Sequence, residues 1–393
     1  MDTVIIKIYG PKKFKIENWS LFLPELMGRT YSQLSLTEKN STRPYLRKYT
    51  LHPQWQDRYL PRVEVFETLT DDRKDIRYIL KAEFSIPKLL YGNSLEEVTE
   101  NDKDKVFSSL QSALASVNII IEKNVIASAR VSGVHFCKNI LLPTTLKMRE
   151  VLNELKRVDI SKAVDVMSTQ FKNGGRVLNI YSGTIERSFY DKISDSMRPK
   201  NKRSDKSHID YERAVVEKYN LQDREVFRYE YRLKKMQTIK REINGVLVRD
   251  ALTLVVFNDL FTPNLLKTVI VRSWNELIER PENQLSLFGT VDKLGLFLHI
   301  LSEAKKQNGN GHGLNTALIS YGLTTAIRDH GAKEVRGAIF DIWNNDHSER
   351  LTKKIQVTAD LTKGLPYSHS IDFIDRALES FALINLTSLQ NGV

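Results

Sequence analysis

The densest chemistry in this chain lies in Thr184-Ile-Glu-Arg-Ser-Phe-Tyr-Asp-Lys-Ile193, a stretch that follows the turn Ser182-Gly183. Read as a strand, alternation puts Glu186, Ser188, Tyr190 and Lys192 on one face and Ile185, Arg187, Phe189 and Asp191 on the other. A tyrosine beside a lysine suits nucleophilic attack on phosphate, because the ammonium favours the phenolate and neutralises charge on phosphoryl oxygens. The same pattern also suits a half-buried tyrosine on an ordinary sheet. Immediately downstream, Met197-Arg-Pro-Lys-Asn-Lys-Arg-Ser-Asp-Lys206 forms a basic loop. Its Arg198, Lys200, Lys202, Arg203 and Lys206 are placed to neutralise a DNA backbone, unless the run is merely solvated.

Other strands carry further candidates. Residues 224–234 alternate cleanly, with Val226, Arg228, Glu230, Arg232 and Lys234 against Phe227, Tyr229, Tyr231 and Leu233. Beside the Tyr190 strand, this Arg-Glu-Arg ladder supplies a carboxylate for a metal and cations for phosphate; on a solvent face it is ordinary. Over 77–86, Ile79, Lys81, Glu83 and Ser85 share the polar face, and a Glu83 facing His135 across the sheet could hold a divalent ion. In Arg130-Val-Ser-Gly-Val-His-Phe136, Gly133 leaves space beside His135 for a ligand or a DNA strand; a lone sheet histidine is otherwise structural. Among nearby tyrosines, Tyr181 has no basic residue two positions to either side, and Tyr211 and Tyr219 fall in a helical segment, so Tyr190 is favoured.

Lysine and arginine number 59 against 48 aspartates and glutamates, a net charge of +11, and the pI near 9.4 points to an anionic partner. Nucleic acid fits better than membrane, since no apolar run reaches spanning length. The N-terminus reads as an acid-containing alternating strand rather than a signal peptide, so the expected compartment is the cytoplasm. Cys137 is the only cysteine, which excludes an internal disulfide framework and leaves a metal to oxygen and histidine ligands.

These groups must be positioned by strands, predicted over 3–9, 62–69, 77–86, 125–140, 176–181, the Tyr190 stretch and 224–234. Helices are predicted over 102–117 and 144–157. Between 36 and 60, Arg43, Arg47, Lys48 and Arg58 interleave with Tyr45, Tyr49, Trp55 and Tyr59, a mixture that suits phosphate contact with base stacking or a plain surface loop. Past residue 235 the pattern turns helical, with starts at Thr262-Pro263 and Thr290 and a loop over 305–313. No internal repeat, Walker loop or dinucleotide fingerprint is present. The expectation is an α+β fold: an antiparallel sheet with helices packed on one face over 1–245, then a mostly helical domain over 246–393.

Taken together, Glu83-Phe-Ser-Ile-Pro-Lys-Leu-Leu-Tyr-Gly-Asn93, Ala129-Arg-Val-Ser-Gly-Val-His135, Phe189-Tyr-Asp-Lys192 and Phe227-Arg-Tyr-Glu-Tyr-Arg232 resemble, in order and spacing, segments of the replication initiators of filamentous phages and related plasmids, the gene II/X family. The resemblance covers roughly the first two-thirds of the chain. It implies a rolling-circle nuclease-like fold and an origin-specific DNA nicking and joining activity through a covalent 5′-phosphotyrosine. Carried over, Tyr190 is the nucleophile, Lys192 its electrostatic helper, and Arg228 and Glu230 close the site. The implied cofactor is Mg2+ or Mn2+, with Glu83, His135 and Glu230 as candidate ligands. Arg130, Arg228 and Arg232 join the basic loop as DNA-binding candidates. The implied partners are a single-stranded or stem-loop origin and the host helicase and polymerase. Ser132 stands where relatives often carry an acid, and the paired His-hydrophobic-His of better-known rolling-circle nucleases is missing. The alternative is a non-catalytic DNA-binding repressor or replication accessory protein.

Overall fold

Strict alternation makes strand β1, Thr3–Tyr9, bury Val4, Ile6 and Ile8 while turning Ile5, Lys7 and Tyr9 to the opposite face. In the computed structural model, which describes residues 1–10, 12–26, 45–51, 59–69, 76–158, 166–172, 176–198, 211–289, 292–343 and 346–391, β1 lies at the centre of a ten-stranded sheet. The first half adds β3 (Phe22–Leu26), β4 (Tyr45–Leu51), β5 (Arg62–Leu69) and β6 (Ile76–Ser85). The second half comprises β8 (Arg130–Leu141), β9 (Val166–Lys172), β10 (Val177–Ser182), β11 (Ile185–Asp191) and β12 (Val226–Leu233). The short strands β2 (Lys15–Ile16) and β7 (Ile119–Ile120) pair separately.

Spatial order is β3-β4-β5-β6-β1-β8-β12-β11-β10-β9, with antiparallel pairing throughout. Both halves obey one connectivity: the first strand sits at the centre, the last pairs beside it, and the intervening strands step inward from the edge. This repetition of topology has no counterpart as a repeat in the sequence. At the junction of the halves, β1 and β8 slip register between Ile5 and Ile6. Gly133 is required there for packing, because a Cβ would come within 2.8 Å of the Ile5 side chain. The expected space beside His135 on the Gly133 side is thus filled by isoleucine.

The apolar face, with Phe84, Phe136, Phe189, Phe227, Tyr229 and Tyr231, packs on helices Lys103–Ala115, Met148–Leu155, Met236–Leu247, Leu265–Ile278 and His369–Ser380 in one continuous core. Helices beyond residue 245 therefore share the sheet's own core, through Ile270, Trp274, Ile371 and Ile374 among others. On the second face Val226, on the Arg228 side by alternation, clusters with Ile193, Val216, Leu221 and Leu389.

Several boundaries differ from expectation. Residues 123–127 are a helical turn, so β8 starts only at Arg130. The helix expected from Thr262-Pro263 begins at Leu265, after a turn in which Leu265 N–H donates to Thr262 O, and Thr290 lies outside the described residues. Lys293–His330 is helical throughout, yet the Phe297 and Tyr321 rings lie 5.4 Å apart. A straight helix would separate them by about 36 Å. The chain therefore doubles back, and Gly313 makes it possible, because a Cβ there would press on the Ala304 carbonyl at 3.3 Å. Among the described residues, no helix is long and apolar enough to cross a membrane.

Candidate active site

Register between β11 and β12 places Ser188 opposite Glu230 and Tyr190 opposite Arg228, while β12 and β8 place Arg232 opposite His135. The side chains predicted to share a face therefore meet. The Tyr190 hydroxyl donates to Glu230 Oε1 at 2.5 Å, and Arg228 Nε donates to the same oxygen at 2.7 Å. Arg232 donates to Glu230 Oε2 through Nε at 2.7 Å and also through Nη2. Arg232 Nη1 reaches Glu186 Oε1 at 2.8 Å, Ser188 Oγ donates to that oxygen at 3.2 Å, and Lys234 pairs with Oε2. At the other end, Arg228 is bound by Asp2 Oδ2 at 2.5 Å and the Ser94 carbonyl at 2.8 Å.

The result is a ladder of alternating charge, Asp2–Arg228–Glu230–Arg232–Glu186–Lys234. Its exposure rises along β12, from 0% for the Arg228 side chain to 26% for Arg232 and 49% for Lys234. Tyr190 is 8% exposed and Glu230 2%. Among the described residues the ladder is most open at its Arg232–Lys234 end.

Burial dominates the electrostatics. It pushes the Tyr190 phenol well above its usual 10, and the Glu230 charge adds to the effect, so the resting side chain is a neutral phenol. Burial would raise the Glu230 carboxyl too, but the Arg232 and Arg228 guanidiniums overcome it and hold the group well below the usual carboxylate range. His135 is lowered to about 4 by burial and then by Arg232, which makes it a neutral imidazole.

Lys192 lies just beyond the end of β11. Asp191 accepts from the Ile193 and Ser194 backbone N–H groups at 3.1 and 3.2 Å, so the strand stops there and Lys192 opens the helix Lys192–Ser196. Its ammonium sits 3.2 Å from buried Glu212, which Ser94 N–H also reaches at 3.2 Å. Burial opposes ionisation of Glu212, but Lys192 and then Lys88 hold it below the carboxylate range. Lys192 thus pairs with a neighbouring helix, and Ser94, bonded to both Glu212 and Arg228, links that pair to the ladder. Sequence reading missed Asp2, Ser94 and Glu212; only the lone acid at the start of an apolar strand marked Asp2.

The candidate metal ligands do not converge. Glu83 is opposite Ile5 on β6, with β1 and β8 between it and β12, while Glu230 has both oxygens engaged by Tyr190 and two guanidiniums. Among the described residues, no group of three or more histidine, cysteine, aspartate or glutamate side chains is arranged to hold a metal. A dication at Glu230 would also meet Arg228 and Arg232, so these residues do not fit such a centre.

Of the DNA-binding candidates, Arg228 and Arg232 belong to the ladder, and Arg198 pairs with Asp195 at 3.1 Å. Arg130 stacks its guanidinium 4.6 Å from the centre of the Tyr9 ring. Lys200, Lys202, Arg203 and Lys206 lie outside the described residues. Tyr181, opposite Glu186 and on the same face as Tyr190, has the Lys234 ammonium 5.5 Å from its ring centre. Comparison of the chain with protein-family models, with curated proteins and with solved structures gave no match.

Proposed function

We propose that the protein is an origin-specific DNA nicking and joining enzyme that starts rolling-circle replication of a phage or plasmid. The observation that carries this reading is the hydrogen bond from Tyr190 to an ionised Glu230 held between two guanidiniums. In the proposed step the Tyr190 oxygen attacks phosphorus, its proton passes to Glu230, and the bond to the 3′ oxygen breaks. The 5′ phosphate remains on tyrosine, and the leaving oxygen takes a proton from solvent to become a 3′ hydroxyl. At rest the transfer is uphill, because the phenol is raised and the carboxyl lowered. A scissile phosphate drawing Arg232 off Glu230 would make that carboxylate more basic and would neutralise charge on the phosphoryl oxygens. Magnesium or manganese belongs to the proposed reaction mixture, but no residue is assigned to hold it and no step is routed through it.

A second reading, a DNA-binding repressor or accessory protein without chemistry, is favoured by the 8% exposure of Tyr190 and the pairing of Arg228, Glu230 and Arg232. Labelled single-stranded origin DNA with magnesium separates the two. The enzyme yields a denaturation-resistant protein–DNA adduct that disappears in Tyr190→Phe. The repressor shifts the DNA but leaves no adduct.

A further inference from the structure

The polar face of the other half of the sheet carries more cations than acids among the described residues. Lys81 is opposite Lys7, and Lys7 is opposite Arg130, so three positive side chains stand in register across β6, β1 and β8. Like charges directly opposite one another are destabilising unless something anionic joins them. Lys81 and Lys48 share a single carboxylate, Glu64, at 2.7 and 3.0 Å. Lys7 and Arg130 make no ion pair with a carboxylate among the described residues, and Glu83, near Lys81, is opposite Arg62. The Lys7 ammonium is pushed down by burial and then by Lys81, with Glu64 only partly offsetting. Next to this row, the guanidiniums of Arg130 and Arg77 stand 4.6 and 5.2 Å from the centre of the half-buried Tyr9 ring. Such a stack of arginine and aromatic planes can receive an unpaired base.

We infer that this face binds the backbone of single-stranded nucleic acid, with phosphates on Lys81, Lys7 and Arg130 and a base laid on the Arg77–Tyr9–Arg130 stack. A row of cations fits a polyanion, and the stack distinguishes a single strand from a duplex whose bases are already paired. The inference shares with the proposed function only a nucleic-acid partner; it does not depend on chemistry at Tyr190.

The test is fluorescence anisotropy of a labelled oligothymidylate, measured over a salt series with full-length Tyr190→Phe protein. Any missing adduct is thereby separated from missing binding. Replacing Lys7 and Arg130 together by glutamine should weaken binding about tenfold or more and reduce the slope of log K against log salt by about 1.4, or ~0.7 per phosphate contact. Lys333→Gln with Lys353→Gln, on exposed helix surface, should leave both unchanged. Lys7→Met should raise the Tm of the free protein by a few degrees, about 2–4 °C, while still weakening binding, a combination that excludes misfolding as the cause. An unchanged salt slope in the double glutamine variant overturns the inference. Equal affinity for a duplex of the same length overturns the single-strand assignment.

Discussion

The two halves of the sheet share one connectivity and treat charge in opposite ways. Glu64 is opposite Lys81 in the first half and bonds it at 2.7 Å; Glu186 is opposite Arg232 in the second and bonds it at 2.8 Å. The next strand inward then differs. Lys81 meets another cation, Lys7, whereas Arg232 meets His135, a neutral imidazole. Around Glu230 the guanidiniums and carboxylates are paired and Tyr190 is hydrogen-bonded to Glu230; around Lys7 the charge is in excess and invites an anion. Compensated burial fixes the geometry of a side chain, and uncompensated partial burial stores affinity for something from outside.

The largest expected effect breaks the paired half. Glu230→Ala removes one of the two carboxylates bound to fully buried Arg228, takes away the partner of Tyr190, and should cost about 3–5 kcal/mol of unfolding free energy in urea titration. Glu64→Gln, the equivalent cut in the first half, removes an acid that is 14% exposed on its side chain and should cost about 1 kcal/mol or less, while strengthening oligothymidylate binding. Equal costs would erase the distinction between the halves. Next in size, Lys192→Ala leaves Glu212 buried beside Lys88 at 3.9 Å and should lower stability by about 2–3 kcal/mol. If Lys192 instead assists the tyrosine, the variant would keep its stability and lose nicking rate.

A smaller effect concerns pH. His135 has its folded value near 4, below the 6.5 it takes when unfolded, so the unfolded chain binds the extra proton first. Stability should therefore fall as pH drops from about 6.5 towards 4, and His135→Gln should flatten that limb. Glu230 and Glu212 are depressed in the folded state, so their contribution is present above the unfolded carboxylate value near 4.5 and is lost as pH falls below it. The limb below 4.5 should survive in His135→Gln; loss of both limbs together would contradict the separate assignments.

Much of the site's strand geometry was legible from alternation alone, because Phe227, Tyr229, Tyr231 and Leu233 give β12 an apolar face that pins its orientation, and β11 pairs with it in register. Tyr190, Glu230, Arg228 and Arg232 therefore meet as their spacing implies. Lys192 falls outside the strand because Asp191 caps the next turn, a local hydrogen-bond choice that outweighs continuation of the strand. Asp2 and Glu212 were illegible as partners, being joined to Arg228 and Lys192 only by the folding of distant segments. The burial of the ladder was hidden as well, since an Arg-x-Glu-x-Arg strand reads the same on a solvated face. The doubling back near Gly313 was visible as a glycine-rich interruption, although its backbone stays helical. The repeated topology left no trace in the sequence, because connectivity depends on the order of the strands and not on the identity of their side chains.

The most direct measurement is peptide mapping of the covalent adduct formed on single-stranded origin DNA, carried out on wild type, Tyr190→Phe and Tyr181→Phe. Attack by the tyrosine bonded to Glu230 predicts a nucleotide on the peptide containing Tyr190, complete loss in Tyr190→Phe, and retention in Tyr181→Phe. A nucleotide on Tyr181 that persists in Tyr190→Phe would contradict the central claim and move the chemistry to the more exposed Lys234 end of the same face.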